Sequence, residues 1–158
     1  MTGVLAITFI AAAAGHTVQT PPMIVLDCSL QRMSFKERQP VGAKRIFALA
    51  APVRAERRVP DVSAIRTYDP TGILRENYVS AASYDGFGRL TVHFGNAKHP
   101  GHRFDGGPDP RGKKNWNAGL GHRGGKTVQD NLENSFVGKC AVDSEVGRSY
   151  FQALGSSR

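Results

Sequence analysis

The sequence predicts a single, mostly β domain, a small antiparallel β-barrel or sandwich of about five to seven strands with a long Gly-rich basic loop and a short C-terminal helix. Three observations predict it. Leu90, Val92 and Phe94 alternate with Arg89, Thr91 and His93, the period of a strand with one buried face. Turn-forming clusters built on Asp, Gly and Pro separate short apolar runs. The two cysteines, Cys28 and Cys140, each fall on the apolar side of a separately read strand.

Taken in order, residues 1–14 read as a signal peptide. Val4 to Ala14 is an uncharged apolar run ending in small residues, with Ala12 and Ala14 at the positions before a cleavage site, although Met1-Thr2-Gly3 carries no Lys or Arg. The run is shorter than the roughly 20 residues of a transmembrane helix, and no span is expected in the mature chain. Residues 15–22, with Pro21-Pro22, form a flexible lead-in to a domain over 23–154. Met23 to Gln31 is a strand with Ile24, Leu26, Cys28 and Leu30 on one face. Arg32 to Lys44 reads as a basic loop, and Arg45 to Ala51 as a strand ended by Pro52. The Arg-rich stretch from Val53 to Val59 fits a helical turn or a solvated connection. Val62 to Tyr68 is a further strand, closed by the turn Asp69-Pro70-Thr71-Gly72.

Tyr78 to Gly95 reads as a β-hairpin around Asp85-Gly86-Phe87-Gly88, which supplies residues tolerant of positive φ. Residues 96–127 break the composition, with eight Gly, three Pro, three His and seven Lys or Arg against two acids. That density of Gly and Pro predicts a long basic loop. Within it Gly101-His102-Arg103 is echoed by Gly121-His122-Arg123, a similarity short enough to arise by chance. Asn134 to Val142 is a strand with Phe136, Gly138, Cys140 and Val142 on one face. Ser144 to Leu154 is a helix, N-capped by Ser144 or Asp143, whose apolar stripe is Val146, Tyr150, Phe151 and Leu154; it would cover part of one end of the domain, and residues 155–158 are a tail.

Export places the chain in the periplasm or outside the cell, where an even cysteine count without metal-type spacing favours a Cys28–Cys140 disulfide. The net charge of +8 favours anionic partners: lipid, polysaccharide or, less readily for an exported protein, nucleic acid. The residues expected to bind an anion are Arg103, Arg111, Lys113, Lys114, Arg123 and Lys126, with Trp116 as an apolar anchor.

Alternative chemistry is thinner. His93, His99, His102 and Asp105 offer imidazole and carboxylate donors for zinc or copper, though Pro100-Gly101 interrupts the closest pair. The run from Gly119 to Thr127 ends in Gly-Lys-Thr, but no glycine stands at the spacing a phosphate loop needs, and no apolar strand precedes it. No Gly-x-Ser-x-Gly occurs, and nothing singles out a carboxylate pair. The leading expectation is therefore a non-enzymatic exported domain that binds an anionic partner. A small metal-dependent envelope enzyme or metal-binding protein, and a purely structural envelope protein, are the alternatives.

Overall fold

The computed structural model describes residues 22–53 and 59–155. The expected signal segment, nearly all of the lead-in, the Arg-rich stretch at 54–58 and the last three residues lie outside the described residues. The elements run β1 (Met23–Met33), β2 (Pro40–Pro52), a 3-10 turn (Val62–Ala64), β3 (Arg66–Tyr68), β4 (Val79–Tyr84), β5 (Leu90–Gly95), β6 (Pro100–Asp109), β7 (Gly112–His122), α1 (Val128–Glu133), β8 (Phe136–Val142) and α2 (Glu145–Gly155).

The eight strands form one antiparallel sheet in the order β3-β2-β1-β8-β7-β6-β5-β4, curled into a half-barrel. The curl is visible in its aromatic contacts. Phe47 on β2 meets Phe104 on β6 at 6.1 Å and Phe94 on β5 at 6.4 Å, although several strands separate them in the sheet. Across the open side, the Tyr84 hydroxyl on β4 donates to the Pro52 carbonyl at the end of β2, at 2.9 Å. The inner face is the core, with Leu26, Leu30, Phe47, Leu49, Leu90, Val92, Phe104 and Leu120 fully buried. Burying a large aliphatic or aromatic side chain contributes roughly 1.5–3 kcal/mol.

The sheet has more strands than the sequence suggested because residues 96–127 are not a loop. They fold into the β6–β7 hairpin. His102, Phe104 and Gly106 on β6 face inward and pair with His122, Leu120 and Ala118 on β7. Two glycines of the run, Gly119 and Gly121, lie on the outer face, where the lack of a side chain leaves the ladder intact. Gly106 is required inside, since a Cβ there would meet the Phe104 ring at 2.7 Å. The hairpin turns at Asp109-Pro110-Arg111-Gly112, where the Asp109 carboxylate accepts the Arg111 amide at 2.9 Å. Two other sequence expectations shift. The basic loop after β1 shrinks to a turn over 34–39, because β1 and β2 extend to Met33 and from Pro40. The strand expected from Val62 starts as a 3-10 turn capped by Asp61 and pairs only over Arg66–Tyr68.

The hairpin at 78–95 forms as expected. The Asp85 carbonyl accepts the Gly88 amide at 3.2 Å, its carboxylate takes the Phe87 and Arg89 amides, and Gly88 sits at φ 81°, the left-handed residue of a three-residue connection. Ser144 caps α2 by accepting the Gly147 amide at 2.9 Å. The helix lies on the outer face of the sheet, not over an end of the barrel. Gly147 packs on Val25 and Asp27, and Tyr150 stacks on Tyr68 at 4.2 Å, while Val146, expected in the apolar stripe, is exposed. Ala48 and Ala50, outward-facing on β2, are buried on this side.

Candidate functional site

The mouth of the half-barrel, where β6 begins and β7 ends, holds its most unusual chemistry. His102 and His122 are register partners on these strands and continue the inner-face rows of Phe104 and Leu120. Alternation points both imidazoles into the barrel, where they are 2% and 6% exposed. Their ring centroids are 5.0 Å apart, with planes tilted by 54°. The Gly-His-Arg echo in the sequence is thus a structural pair: each tripeptide supplies one buried histidine.

The segment from Gly124 to Ser135 packs over this end. His102 Nε2 lies 3.0 Å from the Asn134 carbonyl oxygen. A carbonyl only accepts, so Nε2 carries the proton and Nδ1 is left with a lone pair. The His122 amide donates to Ser135 Oγ at 2.9 Å, and that hydroxyl donates to the Asn131 carbonyl at 2.6 Å. The Asn131 side chain in turn accepts the Gly125 amide at 2.9 Å. The first of these bonds fixes the His102 ring and the others tie the His122 main chain to the covering segment, yet neither Nδ1 has a hydrogen-bond partner. Burial pushes both imidazoles below the usual histidine range. At His102 the Asn134 carbonyl opposes that effect, while His122 and Arg75 add to it; at His122, Arg75 adds to it, and Asn131 and Asp130 oppose it.

Two clefts flank the pair. One, of about 530 Å³, is lined by His93, His102 and Arg123 with the β5–β6 turn. The other, of about 320 Å³, is lined by Arg75, His122, Gly124, Gly125, Lys126 and Asp130. Arg75 donates to the Asn134 side chain at 3.2 Å, and among the described residues neither it nor Arg123 nor Lys126 forms an ion pair with a carboxylate. The Gly119–Thr127 run does not wrap a phosphate-sized nest: its first part is the end of β7, and Gly125 is bonded to Asn131.

The residues expected to bind an anion are scattered by the hairpin. Arg103 lies on the outer face of β6, bound to Asp105 at 2.7 Å. Arg111 stands at the far turn beside Asp109, whose carboxyl is held below the usual carboxylate range chiefly by the Arg111 amide. Lys114 follows that turn on exposed backbone, and the Lys113 side chain lies outside the described residues. Trp116 is no exposed anchor: it faces inward, 7% exposed, opposite Cys140. Of these residues Lys126 lines the smaller cleft together with Arg75, which sequence reasoning did not connect to it, and Arg123 lines the larger cleft with His93.

The expected metal set also separates. His93 projects from the outer face of β5, its pKa lowered by burial and by Arg103 and Arg123; His99 sits exposed in the β5–β6 turn; His102 is inside; and Asp105 is held by Thr91 and Arg103 on the outer face. Among the described residues no three His, Cys, Asp or Glu side chains gather into a metal site. Cys28 and Cys140 are joined as a disulfide, as expected. No helix among the described residues is long and apolar enough to cross a membrane. The chain matches no family model, no curated protein and no solved structure.

Proposed function

We propose that the protein is an exported, non-enzymatic domain that binds an anionic group, a phosphate or carboxylate of a lipid or polysaccharide, at the mouth of the half-barrel. The observation that carries this reading is that Arg75 and Lys126 line one cleft and Arg123 another, and that among the described residues none of the three forms an ion pair with a carboxylate. Cations left unpaired around a concave surface attract anions more strongly than the same charges spread over a convex one. Asp130, which also lines the smaller cleft, opposes anion binding there, so Arg123 in the larger cleft is the less opposed cation. The disulfide fits an oxidising compartment.

The test is sedimentation with phosphatidylglycerol vesicles and, separately, affinity for an alginate matrix at low ionic strength. A double variant, Arg123→Glu with Lys126→Glu, loses retention in the arm where the natural ligand class is represented. Retention that survives both reversals overturns the site. Failure to bind either probe would favour a purely structural role in the envelope.

A further inference from the structure

Anion binding leaves the two buried histidines without a task. Each keeps an Nδ1 out of water with no hydrogen-bond partner. They are register partners on β6 and β7, with ring centroids 5.0 Å apart. Asp109, which is also buried, stands at the far turn with Arg111 and Lys139 beside it. The histidines have no such counter-charge: among the described residues neither enters an ion pair.

A proton taken up here has a poor place to sit. His102 already donates through Nε2 to the Asn134 carbonyl, so a further proton goes to Nδ1, an enclosed donor without an acceptor. Charged groups face the pair from several elements. The segment after β3 brings Arg75 and Asp69, whose carboxylate is committed to the Ile73 and Leu74 amides, and sets Glu76 against Gly101. From β5 comes His93, and from the end of β7 and the covering segment come Arg123, Lys126 and Asp130. Burial is the largest effect on both rings and favours the neutral form. Arg75 acts the same way on both, and the Asn134 carbonyl and Asp69 at His102, like Asn131 and Asp130 at His122, are outweighed. Once one ring is charged, the other has a positive neighbour as well.

The covering segment is the part that can yield. From Arg123 to Ser135 no residue is buried, and α1 within it adds nothing to the core. Its hold on the barrel is largely polar: Asn134 is bonded to His102 and Arg75, and Ser135 to the amides of His122 and Met33. A segment with few buried apolar contacts opens at lower cost than the sheet beneath it, which keeps its ladders and its disulfide. We propose that His102 and His122 are an acid-operated latch: neutral, they let residues 124–134 close over the mouth; protonated, they release that segment while the sheet stays folded. Since the closed form favours neutral rings, its stability is fully present above the ordinary histidine value of 6.5 and is lost as pH falls below it. Each proton taken up on opening raises the open population by up to about tenfold per pH unit, and two raise it by up to about a hundredfold.

The latch is independent of the anion site and is tested without a ligand. Amide hydrogen exchange of the disulfide-intact protein, corrected for the intrinsic rate, is followed from about pH 7 to about pH 4. Protection of the Asn131, Asn134 and Ser135 amides, all bonded within the covering segment, falls at least about tenfold, while the amides shared by β1 and β8 stay slower and do not join that opening. In protein labelled with nitrogen-15 histidine, His102 and His122 gain their protons in step with that loss. His102→Gln combined with His122→Gln removes the titrating groups, and protection of the segment becomes independent of pH. Because that variant could disturb the core, the labelled wild type stands as a separate readout. Both rings protonated under an intact cover, protection unchanged across the whole range, segment and sheet exchanging through one common opening, or a pH dependence that survives in the folded double variant each overturns the latch.

Discussion

Cys28 and Cys140 stand directly opposite each other on β1 and β8, bonded through sulfur with Cα atoms 3.8 Å apart. These are the first and last of the described strands and interior neighbours in the sheet, so the bond closes a sequence separation of 112 residues inside the fold. In the chain-entropy model, closing a loop of that length stabilises by about 4–5 kcal/mol. Replacing both cysteines by Ala should lower the unfolding free energy extrapolated from urea denaturation by an amount near that figure, with a lower midpoint, while preserving the circular dichroism spectrum, because β1 and β8 remain hydrogen-bonded along seven register pairs. An unchanged midpoint would show that the bond adds nothing the ladder does not already supply.

Two residues away, Gly138 explains why β8 can sit so close to β1. It lies on the inner face opposite Leu30, and a Cβ there would overlap the Ser29 carbonyl of the neighbouring strand. That carbonyl is main chain in the sheet centre and cannot give way without breaking the ladder. Gly138→Ala should therefore destabilise by more than about 3 kcal/mol. The control is Gly119→Ala on the outer face of β7, where a Cβ would make only ordinary contacts at 3.8 and 3.9 Å. A chemical denaturation curve for each distinguishes them; equal midpoints would contradict the close approach.

Tyr84 makes alkaline stability informative. Burial pushes its phenol up to about 12 from the usual 10. The fold thus favours the neutral form, and the stability this contributes is fully present below pH 10 and is lost as pH rises from there through about 12. Tyr84→Phe removes that titration and also the hydrogen bond to Pro52, at a cost of about 1–2 kcal/mol at neutral pH. The wild type should be the more stable below pH 10, with the difference shrinking above it. A difference constant from pH 8 to 12 would show that the hydroxyl is not buried.

Sequence periodicity revealed the strands whose inner rows are uniformly apolar, β1, β5 and β8, and with them the cysteine pairing. It missed β6 and β7 because their inner rows carry His102, Gly106, Ala118 and His122, which are polar or small. The signal was nevertheless present: Asp109-Pro110-Arg111-Gly112 repeats the Asp-Pro-x-Gly pattern of the recognised turn at 69–72, and both Gly-His-Arg tripeptides flank it. The meeting of Arg75 with Lys126 could not be read locally, since it depends on the curl that brings the segment after β3 to the segment that follows β7.

The tryptophan now has a different meaning. The chain contains one, Trp116, and it is buried against the core near Cys140. Its emission should be blue-shifted in the folded state and should not change when an anionic vesicle or polysaccharide is added. Trp116→Ala should cost about 3–5 kcal/mol of stability, the range for deleting a buried aromatic. Quenching by a bound ligand would return Trp116 to the binding surface.

The lysines at the far turn separate a site from a general charge effect. Lys113 and Lys114 precede His122 by eight or nine residues along β7, a distance of about 25–30 Å at the rise of a strand. At physiological ionic strength charges so far apart are screened from each other, the Debye length being about 8 Å. If anions bind at the mouth, Lys113→Glu with Lys114→Glu leaves affinity nearly unchanged, whereas Arg123→Glu with Lys126→Glu abolishes it, although both doubles alter the net charge equally. Equal losses measured at 0.15 M salt would instead indicate that the protein holds anions through its overall charge, with no defined site.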